Sequence, residues 1–341
     1  MVRRDITDLS RPALRDWLLH HGELPYRSEQ IFRWIYASGL TDFGAMSNLP
    51  LRLRTLLDQT FTVGVLVPSG HRVAADATRK LLFRLEGGAH IESVIIPEAD
   101  RLTVCVSSQA GCAMGCRFCA TARMGLVRNL RAGEIIGQVR TARAEVEPAP
   151  VTNVVFMGMG EPLANYDAVH TALEVLTAPW GLGFSSRRVT VSTVGLVPGI
   201  ERLVAESQVN VAVSLAATTD AVRTKLIPVN SRYPLAVLLE ACRRLPLPRR
   251  KRIFFEYVLL GGINDADADA RRLVELLRGV PAKVNLLMFN PFPLAGFTPS
   301  PRHQVLRFQS ILREGGLQTN LRESRGWEIQ AACGQLATEA A

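Results

Sequence analysis

The sequence predicts an α/β fold: a partial barrel of six βα units, a (βα)6 half-open barrel, with a small N-terminal accessory domain. Three observations predict it. From about residue 100, short β-branched runs alternate with helical patterns, and alternation at this spacing gives βα units around a parallel sheet. Six units are two short of a closed eight-stranded barrel, so an open one is expected. Residues 1–97 lack the alternation and read as a separate accessory region.

In chain order, residues 6–20 and 28–38 read as helices, the second with Ile31, Trp34 and Ile35 at helical spacing. The stretch 61–95 reads as a few strands around polar turns. Barrel strands are expected at 102–107, 152–157, 188–193, 209–215, 253–260 and 283–288. Helices are expected near 131–146, 167–177, 198–206, 234–245, 266–278 and 301–314. In the first of these Ile135, Ile136, Val139, Ala142 and Val146 share one face. The barrel is expected to span residues 98–320, followed by a C-terminal segment, 321–341. Its active site should lie where the βα loops gather, at the C-terminal ends of the strands.

The 341 residues are 48% hydrophobic, ample for a substantial core and too many for one minimal domain. No uninterrupted apolar run is long enough to span a bilayer, and no charged-then-apolar signal segment opens the chain, so no membrane association is expected. Six cysteines do not make a disulfide scaffold at this length, and free thiols point to the reducing cytoplasm. The net charge of +9 suits a polyanionic partner, most simply nucleic acid. Nearly all the cations are arginine, a bias that genome composition alone can produce. The densest basic run, Arg249-Arg250-Lys251-Arg252, is either a phosphate contact or a solvated turn after Pro246 and Pro248.

Two patterns imitate known sites and fail. Gly158-Met159-Gly160 lacks the third glycine of a dinucleotide fingerprint. Asp265, Asp267 and Asp269 start like a calcium loop, but Ala270 and Leu276 stand where glycine and glutamate are needed, so helix-start charge is the better reading.

The most informative residues are Cys112, Cys116 and Cys119, in the run Gly-Cys-Ala-Met-Gly-Cys-Arg-Phe-Cys. Three thiolates on one short loop can hold three irons of a [4Fe–4S] cluster and leave the fourth open to a ligand, whereas an electron-transfer cluster normally has four protein ligands. The alternatives are a zinc site or three inert thiols. Zinc sites usually pair Cys-x2-Cys with a second distant pair, and none follows here. The loop follows the first barrel strand directly, which places it on the expected active-site face. Gly158 to Pro162 after the second strand, Ser192 and Ser214 at the ends of the third and fourth, and Asn290-Pro291 after the sixth fall there too.

Of the remaining cysteines, Cys242 lies among Leu238, Leu239, Ala241 and Leu245 and reads as core. Cys105 lies on the first barrel strand. Cys333 lies in Ala-Ala-Cys-Gly-Gln-Leu, poor core material that reads as a flexible carrier. The residues alone leave open whether either thiol is catalytic.

The Cys-x3-Cys-x2-Cys run resembles the signature of the radical S-adenosylmethionine (SAM) enzymes, in which the open iron binds SAM and one electron splits it to a 5′-deoxyadenosyl radical. Along nearly its whole length the chain resembles, within them, the RlmN family of adenine methyltransferases. The resemblance runs through LPYRSEQIFRWIY, TDFGAMSNLP, IESVIIPEADRLTVCVSSQAGC, RNLRAGEIIGQV, VVFMGMGEPL, VTVSTVGLVPGI, NPFP and AACGQL. It implies a radical SAM barrel that methylates C2 of an adenine in the peptidyl-transferase region of 23S rRNA and of position 37 in the anticodon loop of some tRNAs. It implies a [4Fe–4S] cluster on Cys112, Cys116 and Cys119, and two SAM molecules per turnover. SAM contacts fall on Phe118, Gly160, Glu161, Ser192, Ser214, Leu215, Ala216 and Asn290. Cys333 matches the thiol that carries the methyl group and joins the RNA in a transient adduct, Glu92 the carboxylate that takes the C2 proton, and Cys105 the thiol that resolves the adduct through a disulfide to Cys333. An electron donor such as flavodoxin and a monomeric state are also implied. Two residues depart from the family pattern: Ala216 stands where histidine is usual, and Ala122 where glycine is usual. Alternative functions are Cfr-type methylation at adenine C8, or a non-catalytic iron–sulfur protein that binds RNA.

Overall fold

The computed structural model describes residues 3–337, so the last four residues of the expected C-terminal segment lie outside the described part. The N-terminal region packs α1 (Arg11–His20), α2 (Arg27–Tyr36) and α3 (Leu51–Thr60) between two short parallel strands, β1 (Arg4–Asp5) and β2 (Phe61–Thr62). The single helix expected over 6–20 is two elements. Asp5 caps a short 3-10 turn over Ile6–Asp8, and Ser10 then starts α1 by accepting a hydrogen bond from the Ala13 N–H, with Pro12 in the first turn. The expected helix 28–38 is α2, which buries Ile31, Phe32 and Ile35. The helix α3 was not expected; it buries Leu53 and Leu57, four apart on one face.

Next come three antiparallel strands, β3 (Pro68–Val73), β4 (Arg79–Arg84) and β5 (His90–Glu98). The last pairs antiparallel with β6 (Arg101–Cys105), so one sheet runs unbroken across residues 97 and 98. A hairpin of β7 (Gln109–Gly111) and β8 (Leu126–Asn129) then brackets α4 (Ala120–Arg123) and the three-cysteine loop. From there the chain alternates: α5 (Ala132–Val146), β9 (Asn153–Phe156), α6 (Tyr166–Thr177), β10 (Val189–Thr193), α7 (Val197–Glu206), β11 (Asn210–Ser214), α8 (Asp220–Leu226), α9 (Leu235–Arg244), β12 (Ile253–Leu259), α10 (Asp267–Leu276), β13 (Ala282–Met288), α11 (Arg302–Glu314) and β14 (Thr319–Arg322).

The sheet order is β14-β13-β12-β11-β10-β9-β6-β5-β4-β3. All six expected barrel strands are present and parallel, and β14 adds a seventh. At four residues and with the sequence Thr-Asn-Leu-Arg, β14 is too short and polar to read as a strand. The Asp265–Asp269 run opens α10, where Asp267 and Asp269 lie in the first turn, as helix-start charge does.

Strand pairing sorts side chains onto two faces. Val104, Val154, Val191, Val213, Phe255 and Leu286 point outward and are buried under the helices. The alternate residues point into the open barrel. Register aligns Lys80 with Val94, Val94 with Cys105, Ser214 with Glu256, Glu256 with Asn285, and Leu287 with Arg322. That inner face carries nearly all the polar strand residues.

Candidate active site

The C-terminal ends of the parallel strands surround a cavity that opens to solvent. Cys112, Cys116 and Cys119 line it together. Their loop is fixed from several sides. The Cys112 N–H donates to the Gly125 carbonyl (2.7 Å), Arg117 N–H to the Leu226 carbonyl (3.0 Å), and Cys119 N–H to the Cys116 carbonyl (3.1 Å). An apolar layer that includes Phe289, Leu260, Ile227 and Leu226 packs behind Cys116.

Burial pushes the Cys112 thiol up to about 11 and the Cys116 thiol well above its ordinary value. Bare thiols so buried hold their protons at neutral pH, whereas a bound metal displaces them and keeps the sulfurs as thiolates. Arg223 favours that charge. Its guanidinium is fully buried, donating to the carbonyls of Val194 (2.7 Å), Leu215 (3.1 Å) and Ser214 (3.2 Å) and to Asn230 Oδ1 (2.8 Å), and Cys116 lies within its field. Three cysteines from one loop, an apolar backing and a buried cation fit a [4Fe–4S] cluster.

The rest of the cavity wall holds most of the predicted residues: Phe118, Gly160, Glu161, Ser192, Ser214, Asn290 and Cys333. Gly160 turns the chain at φ 98°, and a Cβ there would come 2.7 Å from the Gln109 nitrogen, so only glycine fits. Glu161 is 2% exposed; its carboxylate accepts from the backbone N–H groups of Leu163 (3.0 Å) and Val194 (2.8 Å). Burial pushes it up to about 7 against the pull of those bonds. Asn290 Nδ2 donates to the Cys333 carbonyl (3.2 Å), so this side chain positions the Cys333 loop as well as lining the cavity.

Leu215 and Ala216 do not line the cavity. Both are fully buried beneath it; Ala216 holds left-handed backbone (φ 55°) and its carbonyl accepts from Asn264 Nδ2 at 2.7 Å. Ala122 does line it.

Cys333 is exposed and opens into the cavity, yet its segment is not the flexible arm that its small residues suggest. Ala331, Ala332, Gln335 and Leu336 are buried. The Gly334 carbonyl accepts from the Ala120 N–H (2.7 Å), the Leu336 carbonyl from Thr121 Oγ1, and Gln335 Nε2 donates to the Pro291 carbonyl (2.8 Å). Small residues here permit close backbone contact with α4. Although the residue as a whole is exposed, the protein packed around its thiol desolvates it and pushes it up; Arg322 pulls it down and Glu256 pushes it up.

Cys105 is buried on the inner face, where burial drives its thiol far up and neighbouring Cys333 adds to the effect. All six cysteines are free thiols, the state that would precede the disulfide expected between Cys105 and Cys333 during turnover. Glu92 stands on the same face of β5, outside the cavity wall, in a buried ion pair with Lys80 at 2.9 Å. Cys242 is core. In the basic run, half-buried Lys251 donates through Nζ to the Gln208 carbonyl, and Arg252 donates to the carbonyls of Arg249 and Lys251 within the turn itself.

Four site residues escape sequence reasoning: Lys80, Arg223, Glu256 and Arg322. The signal for Glu256 was a lone charge in the apolar run IFFEYVLL at inward parity. The others carry no signal without the fold.

Comparison with known proteins agrees with this layout. Residues 4–63 match the ribosomal RNA large subunit methyltransferase N-terminal domain, and residues 106–274 match the radical SAM superfamily. A protein of Geobacter sulfurreducens described as dual-specificity RNA methyltransferase RlmN is 50% identical over 97% of this chain and 91% of its own length. A protein of the same description from Desulfosudis oleivorans is 48% identical over 98% of this chain and 91% of its own. The crystal structure of a radical SAM methyltransferase from Sphaerobacter thermophilus superimposes with a TM-score of 0.89 at 46% identity, covering 98% of this chain and 99% of that one.

Proposed function

The chain belongs to the RlmN family of radical SAM methyltransferases, and on that premise we propose that it is a dual-specificity RNA methyltransferase acting at adenine C2 in 23S rRNA and in the anticodon loop of some tRNAs. The observation that carries this reading is the convergence of Cys333 and the three-cysteine loop on one cavity, with Cys105 close to Cys333 on the inner face. A cavity with only the three cysteines would fit any radical SAM enzyme.

Bound here, a [4Fe–4S] cluster on Cys112, Cys116 and Cys119, together with SAM, supplies one-electron chemistry at an otherwise unreactive carbon. The protein supplies the rest. Phe118, Gly160, Glu161, Ser192, Ser214 and Asn290 shape the SAM pocket. Cys333 carries a methyl carbon on its sulfur and delivers it to C2. Glu92 takes the C2 proton. Cys105, having lost its thiol proton, then bonds through its sulfur to Cys333 sulfur; the sulfur–carbon bond breaks with its electron pair left on the carbon, and that carbon takes up a proton and stays on the RNA as a methyl group. Two SAM molecules serve each turnover, one for each task. Residues 4–63 and the +9 charge favour the RNA contact. None of the described helices is long and apolar enough to cross a membrane. A cytoplasmic monomer served by a flavodoxin-like donor completes the reading.

The test maps adenine methylation in rRNA and tRNA from cells with and without the protein, reading the modified carbon by mass spectrometry. Loss of 2-methyladenine on deletion is expected. Loss of 8-methyladenine would make it a C8 enzyme, and no change, with no SAM cleavage by the reconstituted protein, would make it a binding protein.

A further inference from the structure

Lys80 on β4 and Glu92 on β5 form an ion pair that is 6% and 4% exposed. The pair lies against the segment that carries Cys333, and its Lys80 end is hydrogen-bonded to it. Lys80 Nζ also donates to the Gln330 carbonyl at 3.3 Å, three residues before Cys333. The Ala337 N–H, four residues after it, lies near enough to the Glu92 carboxylate to favour its charge, without forming a hydrogen bond to it. Gln330 itself holds left-handed backbone at φ 54°, so the turn at which Lys80 grips the chain is sharply defined. Glu92 Oε1 meets Lys80, whereas Oε2 is buried and has no hydrogen-bond partner among the described residues.

A buried carboxylate with one oxygen paired to a cation and the other unpartnered is built to receive a proton. Burial raises its pKa above the ordinary carboxylate value, and the cation pulls against that rise. The free oxygen is where the proton arrives.

We propose that Lys80 is a positioning residue that holds Glu92 as an ionised acceptor and, through Gln330, fastens the Cys333 loop to the same strands. One cation thus sets both the proton acceptor and the methyl-carrying thiol against the RNA base. The proposal rests on the reading of Glu92 as the group that takes the C2 proton. In that step the C2–H proton moves to Glu92 Oε2, the bonding pair stays on the ring, and the carboxylate becomes neutral.

The test compares Lys80→Met, Lys80→Arg, Glu92→Gln and the double variant Lys80→Met/Glu92→Gln, each reconstituted with iron and sulfide. Four quantities are read: turnover of the RNA substrate, methylation of Cys333 by peptide mass, protein–RNA crosslink on a denaturing gel, and hydrogen exchange of the 330–337 amides without SAM or RNA. Lys80→Met should still be methylated at Cys333 and still join RNA, then stall as the crosslink, with turnover down about 100-fold or more, the scale of a lost general base. Lys80→Arg should restore most of the turnover. The 330–337 amides should exchange several-fold faster in Lys80→Met than in Glu92→Gln, which keeps the Gln330 bond. If Lys80→Met fails to fold, the double variant, which removes both charges together, is compared with Glu92→Gln, and equal loop exchange overturns the proposal. A normal turnover by Glu92→Gln brings down the acceptor reading and the proposal with it. A stalled Glu92→Gln beside a Lys80→Met of normal turnover and loop exchange leaves the acceptor reading standing and overturns the proposal alone. Loss of Cys333 methylation in Lys80→Met, unrestored by Lys80→Arg, also overturns it.

Discussion

On the outer face of the parallel strands, Val154, Val191, Val213, Phe255 and Leu286 are fully buried against helices. On the inner face of the same strands, the alternate positions hold Ser192 and Ser214, which the open barrel leaves half-buried, and Glu256 and Asn285, which are buried. The outer face is an ordinary apolar core, where volume and shape decide which residues are tolerated. The inner face buries carboxylates and amides at a cost in stability, because burying a polar group is unfavourable until it is partnered. A fold bears that cost where it needs chemistry. The difference teaches that within these strands parity, rather than position along the chain, separates the apolar core from the polar residues that face the cavity.

The largest effect should come from the loop over the inner face. Replacing Cys112, Cys116 or Cys119 by Ala should abolish iron–sulfur absorbance and SAM cleavage while the melting temperature of the metal-free protein stays near that of the unsubstituted chain. A variant that keeps a SAM-cleaving cluster would break the ligand assignment. On the outer face the pattern should reverse. Phe255→Ala removes a fully buried ring and should cost about 3–5 kcal/mol in denaturant unfolding. SAM cleavage per folded molecule should hardly change.

A smaller effect sharpens the comparison by pH. Burial raises the pKa of Glu256 above its ordinary 4.5, against the pull of Arg322 and Asn285. Between the unfolded and folded values, the folded state keeps a proton that the unfolded state has released, so this group's contribution to stability falls as pH rises through that window. Glu256→Gln keeps an oxygen for Asn285 Nδ2, which now donates to Glu256 Oε1 at 2.8 Å, and removes the titration. Thermal melts should therefore show the variant gaining on the unsubstituted protein as pH rises above the carboxylate range. Parallel melting curves across that range would mean that Glu256 titrates alike in the folded and unfolded states, its burial fully compensated by its partners.

The parts of this molecule legible in the sequence were local ones. The cluster loop packs its three ligands into eight residues, and each of the six barrel strands carries its own β-branched run. What stayed hidden depends on contacts between distant segments. The strand β14 exists because β13 offers it an edge. Lys80 gains meaning only when β4 and β5 pair and the chain returns 250 residues later to bring Gln330 beside it. The Cys333 segment looked loose because its residues are small, and the same smallness lets it dock on α4. Leu215 and Ala216 took their expected role from the family pattern, and their burial beneath the cavity follows from the turn at Ala216.

The central claim is that two thiols outside the cluster loop divide one task, Cys333 carrying carbon and Cys105 releasing it. The most direct measurement is a denaturing gel of purified Cys333→Ala and Cys105→Ala protein, with nuclease treatment to identify RNA in any slow band. Cys105→Ala should accumulate as a protein–RNA crosslink, because it can form the adduct and lacks the thiol that resolves it. Cys333→Ala should give neither product nor crosslink. Normal turnover in both variants, or a crosslink in Cys333→Ala, would contradict the account.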